Sequence, residues 1–183
     1  MNYNQYIADT YGSKRGLARY IKFNMQNKLG VYASANKKQV KGAQRLIYIC
    51  SGNICRSPFG EAVAIKAGFP AISFGLHCRG NDEAFAKTLD YAKRHNYPLT
   101  EHRSAKMSDY VPQPNDLLIV MEPAHLQELN ALYPQQKKVL LGLFAKPPTV
   151  YLHDPFNTNQ VFFDKCMQQI EHATLSLIQA IQK

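Results

Sequence analysis

A chain of 183 residues, 45% hydrophobic and 19% charged, is ample for one core and short for two comfortable domains. No stretch approaches the roughly 18 consecutive apolar residues of a spanning helix, and Met1-Asn2-Tyr3-Asn4-Gln5 lacks the apolar region of a signal peptide, so a membrane span and a secretory leader are not expected. Residues 1–45 hold nine basic side chains against the single acid Asp9, a net +8 of the chain's +9, so the high isoelectric point describes this basic segment and says little about the rest.

In chain order, Ser13 is placed to cap a helix that Gly30 ends, with Leu17, Tyr20, Ile21, Met25 and Leu29 on one face. Lys14, Arg15, Arg19, Lys22 and Lys28 crowd the remainder, and two cations in the first turn oppose the helix dipole. Such a helix is weak alone and needs a partner surface. Either it packs on its own chain or it docks on a membrane surface or an acidic partner. Nucleic acid is the weakest of the partner readings.

From residue 45 onward, strand and helix patterns alternate. Leu46–Ile49 is a short apolar strand, Pro58–Ala67 a helix ended by Gly68, and Ala71–Phe74 a second strand. Asp82–His95 reads as an amphipathic helix with Phe85, Leu89 and Ala92 on one face. Leu117–Met121 suits a strand buried on both sides, Ala124–Tyr133 a helix and Lys138–Phe144 a fourth strand. Three prolines exclude helix from Ala145–Asn157, and a long terminal helix runs over Asn159–Ile181 with Phe163, Met167, Ile170, Ala173, Leu177 and Ile181 inward. Strands separated by helices imply an α/β fold: a three-layer sandwich around a four-stranded parallel sheet with right-handed crossovers. Two segments result, a basic, partly helical extension over 1–44 and a main domain over 45–183.

The most informative string is Cys50-Ser51-Gly52-Asn53-Ile54-Cys55-Arg56-Ser57-Pro58, between a strand and a helix. The bare Cys-x5-Arg pair is a weak signal; the residues around it are not. Gly52 and Asn53 tolerate left-handed backbone, which lets successive N–H groups of a loop point inward as an anion nest. Ser57 can cap the following helix and Pro58 suits its first turn. The helix N-terminus then faces whatever sits above Cys50, and Arg56 completes the ring. A nucleophile and an oxyanion site share nine residues, beyond the carboxyl end of a parallel strand where such folds bind ligands.

That string, with Glu61 following, resembles the active-site signature of the low-molecular-weight protein tyrosine phosphatases. The resemblance runs through Ser73-Phe74-Gly75, His102-Arg103-Ser104, Asp116–Met121 and Leu140-Leu141-Gly142 to His153-Asp154-Pro155-Phe156. It covers about residues 45–183 and leaves the first 44 unmatched. Gly60 stands where an alanine is usual, and Phe156 where tyrosine is common.

The resemblance implies phosphotyrosine hydrolysis through a phosphocysteine, with no metal and no cofactor. Cys50 would be the nucleophile, with the helix N-terminus, Arg56 and the Ser57 hydroxyl favouring its thiolate. Arg56 and the backbone from Ser51 to Ser57 would bind phosphate, and Asp154 would be general acid and then base. Asn53, Ser57 and His102 would hold the loop in shape. Ile54 and Phe156 would flank the phenyl ring, and Ile54 is the branched apolar type of tyrosine-directed members, where phosphoarginine phosphatases carry threonine. Cys55 would form a protective disulfide with Cys50, simple packing being its competing role. The implied partners are phosphotyrosyl proteins, tyrosine kinases among them.

Two further functions compete. An arsenate reductase on the same fold needs two more cysteines to relay a disulfide, and Cys78 and Cys166 stand apart. A phosphopeptide-binding module would need neither Cys50 nor Asp154. The four cysteines lack the paired spacing of a secreted disulfide scaffold, and a catalytic thiol needs a reducing compartment, so the expected location is cytoplasmic.

Overall fold

β1 (Arg45–Cys50) forms where an uninterrupted apolar run has to be covered on both faces, and all but its first residue are buried. β2 (Ala71–Gly75) and β3 (Asp116–Val120) pair with it in parallel on either side, and β4 (Lys137–Leu140) extends the sheet beyond β3. The order is β2-β1-β3-β4. This is the α/β sandwich expected, described here by a computed structural model for residues 2–183.

Strand alternation divides the core in two. Leu46, Tyr48, Leu117 and Ile119 face α3 (Arg56–Lys66) and α6 (Gln160–Ile181). Ile47, Ile49, Leu118 and Val120 face α5 (Pro123–Leu132), Met107 and Tyr110. In α6 the residues Phe163, Met167, Ile170, Ala173 and Leu177 are wholly buried along one stripe, and the Asn159 side chain caps the helix by accepting from the Phe162 N–H at 2.9 Å.

Two elements differ from expectation. The predicted helix over Asp82–His95 starts late, as α4 (Ala86–Arg94). Glu83 pairs instead with Arg103 in an isolated bridge, and the Phe85 N–H donates to the Ile54 carbonyl at 2.8 Å. Those long-range bonds outcompete the helical start. The predicted strand over Lys138–Phe144 stops at Leu140 and becomes a 3-10 turn over Leu141–Phe144, because the Gly142 carbonyl turns to accept from the N–H groups of Ala145 and Thr149.

The basic extension lies on the main domain. α1 (Tyr3–Tyr11), which the sequence patterns did not suggest, packs against α6, and α2 (Lys14–Lys28) starts at Ser13, whose hydroxyl accepts from the Gly16 N–H at 2.9 Å. Ile7, Ala35 and Val40 are buried, and Ala35 belongs to the same core cluster as Ile47 and Ile49. The inward face of α2 is not the one expected. Ile21, Met25 and Leu29 are exposed, while Gly16 is buried, Phe23 packs on Tyr151 with ring centroids 5.3 Å apart, and Asn24 donates to the Thr149 hydroxyl at 3.3 Å. Packing followed close approach and aromatic contact rather than the aliphatic stripe.

Gly60 also has a physical reason. A Cβ there would lie 2.6 Å from the Tyr48 ring, which β1 presents to α3 with its hydroxyl 3.3 Å from that of Thr174. Tyr48 occupies the space an alanine at 60 would need. Gly60→Ala is expected to cost about 1–3 kcal/mol in denaturant unfolding by overpacking. The loss should shrink when Tyr48→Val is added, and a purely additive double-mutant cycle would disprove this coupling.

Candidate active site

Cys50 ends β1, and residues 51–55 turn from the strand into α3. Asn53 is the left-handed residue of this loop, with φ of 53°; Gly52 does not take positive φ, so the left-handed geometry expected of both falls on Asn53 alone. The Asn53 side chain fastens the loop from beneath. Its amide donates to Ser57 Oγ at 2.9 Å and Ser73 Oγ at 2.8 Å, and its Oδ1 accepts from the Ala105 N–H at 2.8 Å. Its carbonyl lies 2.8 Å from His102 Nε2, and burial lowers the His102 pKa, so the neutral ring donates there from Nε2.

Ser57 does not cap α3. It is already helical, the N-cap position is Cys55, and no side chain caps the helix. The Ser57 hydroxyl lies 3.0 Å from Cys50 Sγ while accepting from Asn53. With a lone pair committed to that amide, its proton is directed toward the sulfur, or toward the Phe74 carbonyl at the longer distance of 3.4 Å. A cap on the helix would have surrendered this contact.

Arg56 is buried, its Nη1 donating to the Leu152 carbonyl at 3.0 Å and its Nη2 pairing with Asp154 Oδ2 at 2.9 Å. Arg56 Nε is buried with no hydrogen-bond partner. Asp154 is half-exposed, and its Oδ1 accepts from the Phe156 N–H at 3.2 Å, which fixes the turn through Pro155. One cleft of about 430 Å³ collects Cys50, Ser51, Gly52, Ile54, Arg56 and Asp154. Phe156 edges it and is backed from outside the cleft by Phe85, with ring centroids 4.7 Å apart.

Burial pushes the Cys55 thiol up to about 12 and the Cys166 thiol likewise. Cys166 Sγ sits 3.5 Å from the His153 carbonyl beneath the loop that carries Asp154, and Cys78 Sγ sits 3.3 Å from the Ala105 carbonyl. Ser51 Oγ is 3.3 Å from His125 Nε2, which lies 3.2 Å from Glu122 Oε1, and burial lowers His125 to about 2. This buried polar group under the loop was not anticipated, although Glu122 directly follows the apolar run Leu117–Met121.

Nor was His153. Tyr151 meets its Nδ1 at 2.6 Å and Ser13 Oγ lies 3.5 Å from its Nε2, so the extension grips the residue next to Asp154. A Cβ at Gly16 would lie 3.1 Å from the His153 ring and 2.0 Å from the Tyr11 carbonyl, which explains a glycine inside α2. Burial, then the Arg56 charge, lower the His153 pKa to about 4, with Asp154 opposing. Between about pH 4 and 6.5 the unfolded chain binds a proton here that the folded one does not, so stability rises with pH across that window. The contribution is complete above 6.5 and lost below 4. Urea unfolding should show on the order of 1–2 kcal/mol less stability at pH 5 than at pH 7 from this residue. His153→Gln should remove that share of the slope, and an unchanged slope would refute the assignment.

The Cys50 thiol, the Ser57 hydroxyl and the Arg56–Asp154 pair thus converge beyond the carboxyl end of a central parallel strand, in a fold shared with tyrosine phosphatases. The family model described as low molecular weight phosphotyrosine protein phosphatase matches residues 45–183, and the chain belongs to that family. Among curated relatives, the Escherichia coli K12 protein-tyrosine-phosphatase Etp is 29% identical over 133 residues, 70% of this chain and 88% of Etp. The tyrosine phosphatase Wzb from Escherichia coli K30, solved with sulphate, superposes with a TM-score of 0.67 at 28% identity, covering 76% of this chain and 98% of Wzb. Vibrio vulnificus Wzb, solved with benzylphosphonate, gives 0.66 at 26% identity, covering 78% of this chain and all of the relative. The extension lies outside the family match. No helix among the described residues is long and apolar enough to cross a membrane.

Proposed function

We propose that this protein-tyrosine phosphatase works through a phosphocysteine on Cys50, with Arg56 and the loop amides as the phosphate site and Asp154 as general acid and base. The observation that carries this reading is the convergence of the Cys50–Ser57 contact and the Arg56–Asp154 pair on one cleft. A phosphoryl dianion entering the loop takes Arg56 away from Asp154. Nη2 and the unpartnered Nε then form a two-pronged donor for phosphoryl oxygens. Cys50 Sγ attacks phosphorus as the aryl P–O bond breaks, and Asp154 protonates the departing phenolate. Water then attacks the phosphocysteine, its proton passes to Asp154, and the S–P bond breaks to release phosphate. Preset N–H groups and the guanidinium stabilise the equatorial oxygens throughout.

His102 and Asn53 act through the loop backbone, while Ile54 and Phe156 flank the phenyl ring. The substrates are phosphotyrosyl proteins, tyrosine kinases among them, in the reducing cytoplasm that a free nucleophilic thiol requires. The test is a panel of phosphotyrosine, phosphoserine, phosphoarginine and arsenate beside a Cys50→Ser control. Turnover confined to phosphotyrosine supports the reading, and arsenate reduction or a preference for phosphoarginine overturns it. The separate settings of Cys78 and Cys166 argue against a disulfide relay.

Cys55 carries the redox part of the proposal. Mild peroxide should inactivate the enzyme and dithiothreitol restore it through a Cys50–Cys55 disulfide. Replacing Cys55 by alanine should leave turnover in place and make oxidation harder to reverse. Equal recovery with and without Cys55 would remove it from this role and leave it as core packing.

A further inference from the structure

The cleft that holds Cys50 is not walled by the phosphatase domain alone. Gly12, Ser13, Arg15 and Arg19 of the extension line it as well. Arg15 and Arg19 are four residues apart, one turn of α2, so both project from the same side of the helix. Among the described residues neither guanidinium is held in an ion pair with a carboxylate, although Arg19 bonds to the Tyr151 hydroxyl and feels the charge of Glu122, leaving Arg15 the freer of the two. The helix that carries them is fixed: Gly16 packs on His153, Phe23 on Tyr151, and Asn24 bonds to Thr149. Ile54 and Phe156 line the same cleft. The cleft thus combines apolar groups suited to a phenyl ring with two cations that the extension adds to Arg56.

A phenyl phosphate uses the loop, Arg56 and the apolar wall, and nothing in it requires Arg15 or Arg19. We infer that these two arginines read acidic side chains flanking the phosphotyrosine, which makes the extension a specificity wall for acidic phosphotyrosyl segments. The inference rests on the phosphotyrosine reading above and adds the sequence class of the substrate. Charge complementarity favours a carboxylate as the partner, since a planar guanidinium on a rigid helix can take it two-pronged with little ordering cost. The wall sits in the active-site mouth, and this favours a peptide segment threaded past Cys50 over a lipid surface.

The experiment uses the full chain with three phosphotyrosyl peptides of equal length whose flanks are acidic, neutral or basic, and with 4-nitrophenyl phosphate. The parent should favour the acidic over the neutral peptide by about 3–10-fold in kcat/KM, mostly through KM and declining with salt, as for partly exposed charge pairs. Arg15→Ala with Arg19→Ala should bring that ratio close to one, and Arg15→Glu with Arg19→Glu should turn the preference toward the basic peptide. Thermal melting of each variant separates this from loss of fold, and the ratio of peptides is insensitive to a uniform loss of active protein. An acidic preference absent in the parent or unchanged in the double variant overturns the inference while leaving the phosphatase intact. The same holds if the double variant keeps the peptide ratio but no longer sediments with phosphatidylserine vesicles, which would assign the arginines to a membrane. If the parent hydrolyses none of the aryl phosphates, the functional reading itself has failed, and this inference falls with it.

Discussion

Cys50→Ser should leave no measurable turnover of phosphotyrosine while inorganic phosphate still binds. The substitution exchanges sulfur for oxygen at the end of β1 and leaves Asn53, Ser57, Arg56 and the loop backbone in place. The binding site is made of groups the change does not touch. The nucleophile is another matter, because a serine hydroxyl has no adjacent base here. Its neighbour at 3.0 Å is the Ser57 hydroxyl, itself engaged by Asn53. That arrangement can hold a thiolate but cannot remove a proton from an alcohol. A loss of roughly 10⁴–10⁶ in kcat is the scale for removing a nucleophile that acts with its partners as a unit. Calorimetry with phosphate should show affinity within a few-fold of the parent. Turnover within ten-fold of the parent would move the nucleophile elsewhere, and loss of phosphate binding would mean that the sulfur itself helps to shape the loop.

Much of this site was legible because its parts are contiguous. Nine residues carry thiol, left-handed turn, guanidinium and serine, and their order between an apolar strand and a helix admits few geometries. The strands and α6 were legible for a similar reason, since continuous apolar runs and a stripe of Phe163, Met167, Ile170, Ala173 and Leu177 mark burial directly. Errors arose where a local pattern met a distant partner. Leu141-Gly142-Leu143-Phe144 is as apolar as a strand, yet the Gly142 carbonyl bonds toward Thr149. Ser57 is a good cap by type, but its hydroxyl was required at Cys50. In α2 the aliphatic spacing of Leu17, Ile21, Met25 and Leu29 does mark a helix, while the buried face was chosen by a glycine, aromatics and an asparagine whose partners lie more than 100 residues away. Ser13 and His153 are 140 positions apart, and no spacing rule joins them. The participation of the extension in the active-site wall is therefore a property of the tertiary structure alone.

Asp154→Ala should slow phosphotyrosine hydrolysis by roughly 10²–10⁴, the scale for a lost general acid, and the loss should depend on the leaving group. Phenolates differ in how much they need the proton. A good leaving group such as 4-nitrophenolate departs with little help, so the variant should lose less on 4-nitrophenyl phosphate than on phosphotyrosine. The structure supplies a reason to expect clean behaviour. Asp154 is half-exposed, and its contacts are Arg56 and the Phe156 N–H, so truncation should not open a cavity in the core. Arg56 loses one partner but keeps the Leu152 carbonyl, and the phosphate loop has its own supports in Asn53, Ser73 and His102. Phosphate affinity should therefore hold or rise, because the dianion no longer displaces a carboxylate from the guanidinium. Lower kcat with tighter phosphate binding distinguishes a lost proton donor from a damaged site, which would weaken both. Equal losses on the two aryl phosphates would mean that proton transfer to the leaving oxygen is not what Asp154 does, and parent-like turnover of phosphotyrosine would place the acid elsewhere in the cleft.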